Sequence, residues 1–198
     1  MHTFNFGILK KRPSKKELIG KYTSQSSCVV RAWDGGLGGF EITFYGALAN
    51  VPSLKNKKIP GTNFTNPDVI ARIASMDILF KEACPKPPFF GKSEVFVVMV
   101  CASRARSFDL IGCMETIQDW LEPSSKMVGK KSHKRGWGIG LIDNDSQVTP
   151  FPLKSELFGE GKAYTKIYVA PIKGCPKRMD LTRLFARMGY MQEEREHD

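Results

Sequence analysis

The amino-acid sequence predicts an α/β (α+β) protein in which a mixed β-sheet carries two main helices on one face. Segments with strand and helix patterns follow one another in the order β, α, β, α, β, β, as expected for helices layered on a sheet. The chain has 198 residues, of which 41% are hydrophobic and 25% charged. This is the size and composition of a globular protein that buries a substantial core.

The chain divides into three regions by composition. Residues 1–38 are basic and have weak hydrophobic periodicity, which predicts an N-terminal extension that is strand-like only around Cys28–Val30. Residues 39–172 contain the alternating strands and helices and form the main domain. Residues 173–198 form a C-terminal extension with one amphipathic helix.

The main domain begins with a strand and continues into a helix. Apolar and polar residues alternate from Phe40 to Tyr45, a pattern typical of a strand with one buried face. Asn66 and Pro67 are a typical N-cap and first helical residue, and apolar residues then recur at helical spacing. We therefore expect a helix from about Pro67 to Ala83, ended by the prolines at positions 85, 87 and 88.

The next part of the domain repeats this order. Val95–Cys101 is an unbroken apolar run rich in β-branched residues, which indicates a central strand. Apolar positions in the segment 110–121 recur with a period near 3.6 and predict a second helix that ends before Pro123. Two further strands are expected at 139–142 and 164–169.

A last helix is predicted from about Asp180 to Gln192. Its apolar residues form one stripe, and leaving such a stripe exposed to water is unfavourable. The helix therefore either covers the sheet of its own chain, which we favour, or contacts a partner subunit. The stripe consists of Leu181, Leu184, Phe185, Met188 and Met191.

Two acidic segments flank the predicted second helix. Asp109 stands at the start of this helix, and Asp143-Asn144-Asp145 follows the next predicted strand. Carboxylates that approach one another repel and are held together by a divalent cation, commonly Mg²⁺ in phosphodiester hydrolysis. Each segment also has a purely structural interpretation, because Asp is a frequent N-cap and Asx residues dominate turns.

The acidic segments fall within two short motifs. Residues 109–115 read Asp-Leu-Ile-Gly-Cys-Met-Glu, residues 144–148 read Asn-Asp-Ser-Gln-Val, and an earlier loop contains Pro52, Ser53, Asn56 and Lys57. Over residues 40–172 this pattern resembles the RusA-type Holliday junction resolvases, endodeoxyribonucleases of phages and prophages. The motifs of that family have the forms D-x-D-N-x-x-K at a helix start and D-D-x-Q-V on the next strand.

The resemblance implies a homodimer that binds four-way DNA junctions and cuts two opposed strands with Mg²⁺, or with Mn²⁺ in its place. The implied activity is a structure-selective endodeoxyribonuclease of DNA recombination and repair, in the cytoplasm of a bacterial host or phage-infected cell. Ile111, Gly112 and Glu115 stand where the family motif has Asp, Asn and Lys. The alternative is a catalytically inactive RusA-like fold that binds DNA or RNA within a larger assembly.

The resemblance matches two carboxylates, Asp109 and Asp145, to catalytic and metal-binding positions of the family. Glu115 lies one helical turn beyond Ile111 on the same helix face, so it is a candidate for the vacated third position. Asp143 is a second candidate, because residues two apart share one face of an extended strand. We hypothesise a metal site of Asp109 and Asp145 with either Glu115 or Asp143, and we count Glu115 as a catalytic candidate.

The formal net charge of +10 favours polyanionic partners, of which nucleic acid is the commonest. One basic patch lies between the two acidic motifs and contains glycines, which predicts a flexible loop that contacts phosphates. A solvated loop without a partner is the alternative interpretation, and Trp137 beside it either stacks on a base or packs in the core. The predicted nucleic-acid-binding residues are Lys55, Lys57, Lys58, Arg104, Arg106, Lys126, Lys130, Lys131, Lys134 and Arg135.

The cysteines and the apolar runs bear on the compartment. Five cysteines without C-x-x-C spacing and three scattered histidines do not predict a zinc site, and they favour a reducing, intracellular compartment. No apolar run reaches the length of a membrane span, and the N-terminus lacks the apolar segment of a signal peptide. We therefore expect no membrane partner.

Overall fold

The structure, a computed structural model, describes residues 13–33, 38–54, 66–102, 109–128, 131–155 and 162–172. Its elements in chain order are α1 (Lys15–Ser24), β1 (Ser26–Trp33), β2 (Gly39–Gly46), α2 (Pro67–Ala83), β3 (Val95–Ala102), α3 (Leu110–Leu121), β4 (Pro123–Val128), β5 (Lys131–Ile139), a 3₁₀ turn (Asp145–Gln147), β6 (Val148–Ser155) and β7 (Tyr164–Pro171). Within these ranges, no helix is long and apolar enough to cross a membrane.

Five strands form one mixed sheet in the order β1-β2-β7-β3-β6. Strands β3 and β6 pair in parallel, whereas the pairs β1–β2, β2–β7 and β7–β3 are antiparallel. Strands β4 and β5 form a second, two-stranded antiparallel sheet. The predicted α+β class with a mixed sheet is therefore confirmed.

The helices α1, α2 and α3 pack on the same face of the five-stranded sheet. Along β3, every second residue from Val95 to Cys101 belongs to the same buried cluster as the apolar residues of the three helices, and we call this side the helix face. Trp120 of α3 lies edge-on to Phe44 of β2 and to Phe80 of α2, with ring centroids 5.6 and 5.5 Å apart. Side chains of two helices and the sheet therefore interlock around one indole ring.

The segment 1–38, expected to be a basic extension, contributes helix α1 to the helix layer and strand β1 to the five-stranded sheet. The side chain of Ser14 accepts a hydrogen bond from the backbone N–H of Glu17, whose carboxylate accepts one from the backbone of Ser14. This capping box starts α1. Only two residues of α1 are buried, so its apolar stripe is too narrow to stand out in the sequence. The strand-like character expected around Cys28–Val30 is confirmed, because β1 pairs with β2 along its length.

Five elements lie where the sequence predicts them. Helix α2 has the predicted bounds Pro67–Ala83, and the side chain of Asn66 caps it by accepting from the backbone N–H of Asp68. Helix α3 spans the predicted 110–121, and strands β2, β3 and β7 extend the predicted segments by one or two residues. The periodic patterns of these segments are therefore reliable guides to their structure.

The segment predicted as a strand at 139–142 does not form one continuous strand, although Ile142 makes an isolated parallel β-bridge with Gly91. Strand β5 ends at Ile139, and the backbone N–H groups of Leu141 and Ile142 donate to the carbonyl of Leu121. The chain turns here to satisfy the C-terminal carbonyl of α3, which has no partner within its own helix.

Strand β6 was not predicted, because Pro150 and Pro152 interrupt its pattern. It lies at the edge of the sheet, where a missing backbone donor is tolerated. The predicted helix 180–192 lies outside the described residues.

Candidate functional site

The carboxylate of Asp109 caps the N-terminus of α3. Its Oδ1 accepts from the backbone N–H of Gly112 at 2.9 Å, and its Oδ2 accepts from the hydroxyl of Ser53 at 3.0 Å. A Cβ atom at position 112 would collide with Asp109 Oδ2 and Ser53 Oγ. The glycine that departs from the family motif therefore gives the carboxylate room to lie against the first helical turn.

The loop that ends at Leu54 is bound to α3 by two further side chains of the helix. The hydroxyl of Thr116 accepts from the backbone N–H of Leu54 and donates to the carbonyl of Gly112, both at 2.9 Å. The thiol of Cys113 donates to the carbonyl of Val51 at 2.9 Å, and burial raises the pKa of this thiol to about 12. Asp109 therefore belongs to a structural network between loop and helix.

The segment 143–147 lies at the opposite end of α3. Glu122, the C-cap residue of the helix, is 1% exposed, and its Oε1 accepts from the backbone N–H of Asp145 at 2.7 Å. Asn144 caps the 3₁₀ turn by accepting from the backbone N–H of Ser146. The side chain of Asp145 is exposed.

The side chain of Gln147 connects this turn by hydrogen bonds to the loop that contains Gly91 and Ser93. Its Oε1 accepts from the backbone N–H groups of Asp143 and Asn144 at 3.0 and 2.8 Å. Its Nε2 donates to the carbonyls of Gly91 and Ser93 at 2.8 and 2.9 Å. The Gln of the second motif thus uses both donors and both acceptor positions of its amide on backbone groups.

Helix α3 separates the two matched carboxylates. Its twelve residues make it about 18 Å long at the usual rise per residue, with Asp109 before its first residue and the turn of Asp145 against its C-cap. Magnesium is bound by oxygen atoms about 2.1 Å from the ion. Within one chain, Asp109 and Asp145 therefore do not fit a shared Mg²⁺ or Mn²⁺ ion, and the hypothesised site is not assembled.

The two auxiliary candidates do not complete the site. Asp143 and Asp145 do not belong to one strand, because Asn144 between them is the N-cap of the 3₁₀ turn that begins at Asp145. Glu115 and Ile111 both lie exposed on α3, Ile111 at 64%, as expected for residues one turn apart. Across the described ranges, no group of three or more His, Cys, Asp or Glu side chains is placed to hold a metal ion.

The basic insert between the motifs forms the β4–β5 hairpin, where the sequence predicted a flexible loop. Its pairing runs from Pro123 opposite Ile139 to Val128 opposite Lys131, with one irregularity near Ser125. Trp137 is 6% exposed, which confirms the core-packing interpretation of this residue. The end of the hairpin that contains Trp137 and Ile139, which we call its root, is therefore buried in the core at the C-terminal end of α3.

Gly138 allows this root to pack closely. Its φ of +124° suits glycine, and a Cβ atom there would collide with the carbonyl of Glu122. The hairpin and the Asp145 turn thus meet at the same residue, Glu122.

The predicted nucleic-acid-binding residues fall into two groups. The hairpin backbone is described at Lys126, Lys131, Lys134 and Arg135. The remaining six lie outside the described residues, and the segments that carry five of them adjoin Leu54 and Asp109 at the N-terminal end of α3. Those six are Lys55, Lys57, Lys58, Arg104, Arg106 and Lys130.

Sequence reasoning missed the structural roles of Glu122 and Ser53. A Glu directly before Pro123 reads as a helix end, and nothing in its local pattern indicates a partner 23 residues away. Ser53 stands out in the sequence only as part of a loop motif. Comparison of the chain with family models, with curated proteins and with solved structures gives no match.

Proposed function

We propose that this protein binds duplex or branched DNA and that the β4–β5 hairpin is its principal contact. The observation that carries the proposal is a strongly basic segment folded as a two-stranded ribbon on a buried root. Between positions 123 and 139 the sequence contains no Asp or Glu, and it contains Lys126, Lys130, Lys131, Lys134 and Arg135. These five charges equal half of the formal net charge of +10.

The shape of the hairpin suits a DNA groove. The major groove of B-DNA is about 12 Å wide and admits a two-stranded β-ribbon. Six residues of β4 extend about 20 Å at the usual rise of a strand, enough to follow a groove for several base pairs. Contacts from Lys and Arg to phosphates give affinity without reading base sequence.

The buried root supports this proposal because it fixes the direction of the ribbon before binding. Trp137 and Ile139 are packed in the core, and the backbone N–H of Gly140 donates to the carbonyl of Glu122 at 3.1 Å. A ribbon ordered in advance loses less conformational entropy when it binds than a flexible loop does.

The nuclease activity implied by the resemblance is less well supported than binding. Hydrolysis with Mg²⁺ would require the carboxylates to converge on one ion, and α3 keeps Asp109 and Asp145 at opposite ends of a helix within one chain. The carboxylate of Asp109 accepts from Ser53 and Gly112 at one end of the helix, and at the other end the backbone N–H of Asp145 donates to the carboxylate of Glu122.

A binding and cleavage assay on the same samples tests the proposal. Fluorescence anisotropy should detect binding to a four-way DNA junction and to a linear duplex. Denaturing gels of the same mixtures with Mg²⁺ or Mn²⁺ should show intact strands, for the wild type and for Asp145→Asn alike.

Two results would overturn the proposal. Paired cuts made by the wild type and lost in Asp145→Asn would establish the nuclease instead. Tight binding of single-stranded RNA without binding of either DNA would show that the ribbon serves a different polymer.

A further inference from the structure

The face of the sheet opposite the helices is also buried. We call it the second face, and on β3 it contains Phe96, Val98 and Val100, each 0% exposed. Ala170 of the neighbouring β7 is 0% exposed as well. Partly buried residues complete the same apolar strip, namely Phe151, Leu153 and Ile172.

None of the described helices accounts for this burial. Except for Ala74, the buried apolar residues of α1, α2 and α3, together with Trp137 and Ile139 of β5, belong to the cluster on the helix face. Among the described residues, the second-face cluster contains members of the five-stranded sheet and Ile172, which directly follows it, and no others. Val98 and Val100 therefore require a cover supplied from outside the described ranges.

We propose that residues 180–192 of the same chain pack on the second face as an amphipathic helix and make the fold three-layered. The path of the chain favours this occupant. Ile172 is the last described residue, and it already packs against the second-face cluster. Seven residues, 173–179, then separate it from Asp180 and can span about 23 Å, enough to return over the sheet.

The sequence of the segment matches the surface in chemistry. Leu181, Leu184, Phe185 and Met188 follow one another at the spacing that places side chains on one helix face. Ala186 falls on the opposite side of such a helix. An aliphatic and aromatic stripe of this kind suits a strip composed of Val, Phe, Leu, Ile, Ala and one Tyr.

The width of the apolar strip fits one helix. The strip covers β6, β3 and the end of β7, three adjacent strands that span about 10 Å at the usual strand spacing, close to the diameter of a helix. On its β2 side the second face becomes polar, where Lys166 pairs with Glu41 at 3.5 Å and lies 5.8 Å from the ring of Tyr164.

Thiol labelling of a Val98→Cys variant of the full chain tests this proposal. Labelled peptides identified by mass spectrometry report position 98 separately from the native Cys113, which is buried on the helix face. The introduced thiol should be protected in this parent variant. Adding Phe185→Asp should raise the labelling rate at position 98 at least tenfold while Cys113 stays protected.

Ala186→Asp is the matched control, because it introduces the same charge one position away on the opposite side of the predicted helix. It should leave the labelling rate at position 98 unchanged. If Phe185→Asp exposes Cys113 as well, the milder Phe185→Ala is used, and the same selective rise at position 98 is expected.

Two results would overturn the proposal. Unchanged protection of position 98 in both Phe185 variants would show that another segment covers the second face. Protection that disappears on dilution, together with a dimer-to-monomer change in sedimentation, would show that a second copy of the chain covers it.

Discussion

The backbone N–H of Asp145 donates a 2.7 Å hydrogen bond to the buried carboxylate of Glu122. This contact fixes the second acidic motif at the C-terminal end of α3, while the carboxylate of Asp109 caps its N-terminal end. The relationship explains why two acidic motifs that look paired in the sequence do not share one site within a chain. The same contact lies at the root of the basic hairpin, because the hairpin begins at the residue after Glu122.

Replacing Glu122 should destabilise the fold. Glu122→Ala removes the acceptor for the Asp145 N–H and leaves a cavity, and loss of a buried hydrogen-bond partner typically costs about 1–3 kcal/mol. Glu122→Gln retains an acceptor oxygen and should lose less. Urea denaturation measures both, and Asp145→Ala, whose exposed side chain leaves the backbone bond intact, is the control. Equal stability of Glu122→Ala and wild type would contradict the assigned role.

Gly112→Ala should also destabilise, although Ala usually favours a helix over Gly by about 1 kcal/mol. The new Cβ would collide with Asp109 Oδ2 and Ser53 Oγ, and relieving such overlap typically costs about 1–3 kcal/mol. Gly20→Ala in α1 is the matched control, because nothing lies within 4 Å of its Cβ position, and it should stabilise. The two substitutions should shift the melting temperature in opposite directions. A higher melting temperature of Gly112→Ala would contradict the network around Asp109.

Magnesium should stabilise the wild type and a variant that lacks the two motif carboxylates to the same extent. Asp109→Asn combined with Asp145→Asn keeps an N-cap acceptor and removes both charges. Because the two side chains do not share an ion within one chain, Mg²⁺ should shift the two melting temperatures equally. A larger stabilisation of the wild type would indicate that carboxylates of two chains bind one ion.

Stability should decline as pH rises above about 9. Burial raises the pKa of Cys28 and Cys113 to about 12 and that of Cys101 to about 11, from an ordinary 9.0. Between about pH 9 and the raised pKa values, the unfolded chain releases thiol protons that the folded chain retains. The free energy of unfolding therefore falls as the pH rises. Below pH 9 both states are protonated and this contribution is complete.

Urea denaturation at about pH 7.5 and about pH 10 measures the decline. The loss of stability should be smaller in Cys101→Ala, because that variant lacks one buried thiol. An identical pH dependence in that variant and the wild type would contradict the role of this thiol.

Much of the fold follows from local patterns. Helices α2 and α3 carry clear periodicity and standard caps, so their bounds are readable from residues such as Asn66 and Asp109. Helix α1 and strand β6 are not readable in the same way. The former buries too few residues to show a stripe, and the latter contains two prolines that only an edge position tolerates.

The site is harder to predict because it depends on contacts distant in sequence. Ser53 with Asp109 and Glu122 with Asp145 are separated by 56 and 23 residues. A motif comparison assigns chemistry to Asp109 and Asp145 but does not reveal that a helix about 18 Å long stands between them. The basic composition of the hairpin is visible in the sequence, whereas its pairing and its buried root require the fold.

The role of the hairpin is tested most directly by the salt dependence of DNA binding in two variants of equal charge. One replaces Lys131, Lys134 and Arg135 of the hairpin by Ala, and the other replaces the exposed Lys15, Lys16 and Lys21 of α1. Removing one interaction with a phosphate should reduce the slope of log affinity against log salt by about 0.9. The measurement is anisotropy of a labelled four-way junction over a series of salt concentrations.

We predict that the hairpin variant binds at least tenfold more weakly at moderate salt and that its slope is shallower by about two to three. The α1 variant should keep the wild-type slope, because its three lysines belong to α1 and not to the hairpin. Equal changes of slope in the two variants would show that net charge alone attracts DNA, and would contradict the assignment of the hairpin as the binding element.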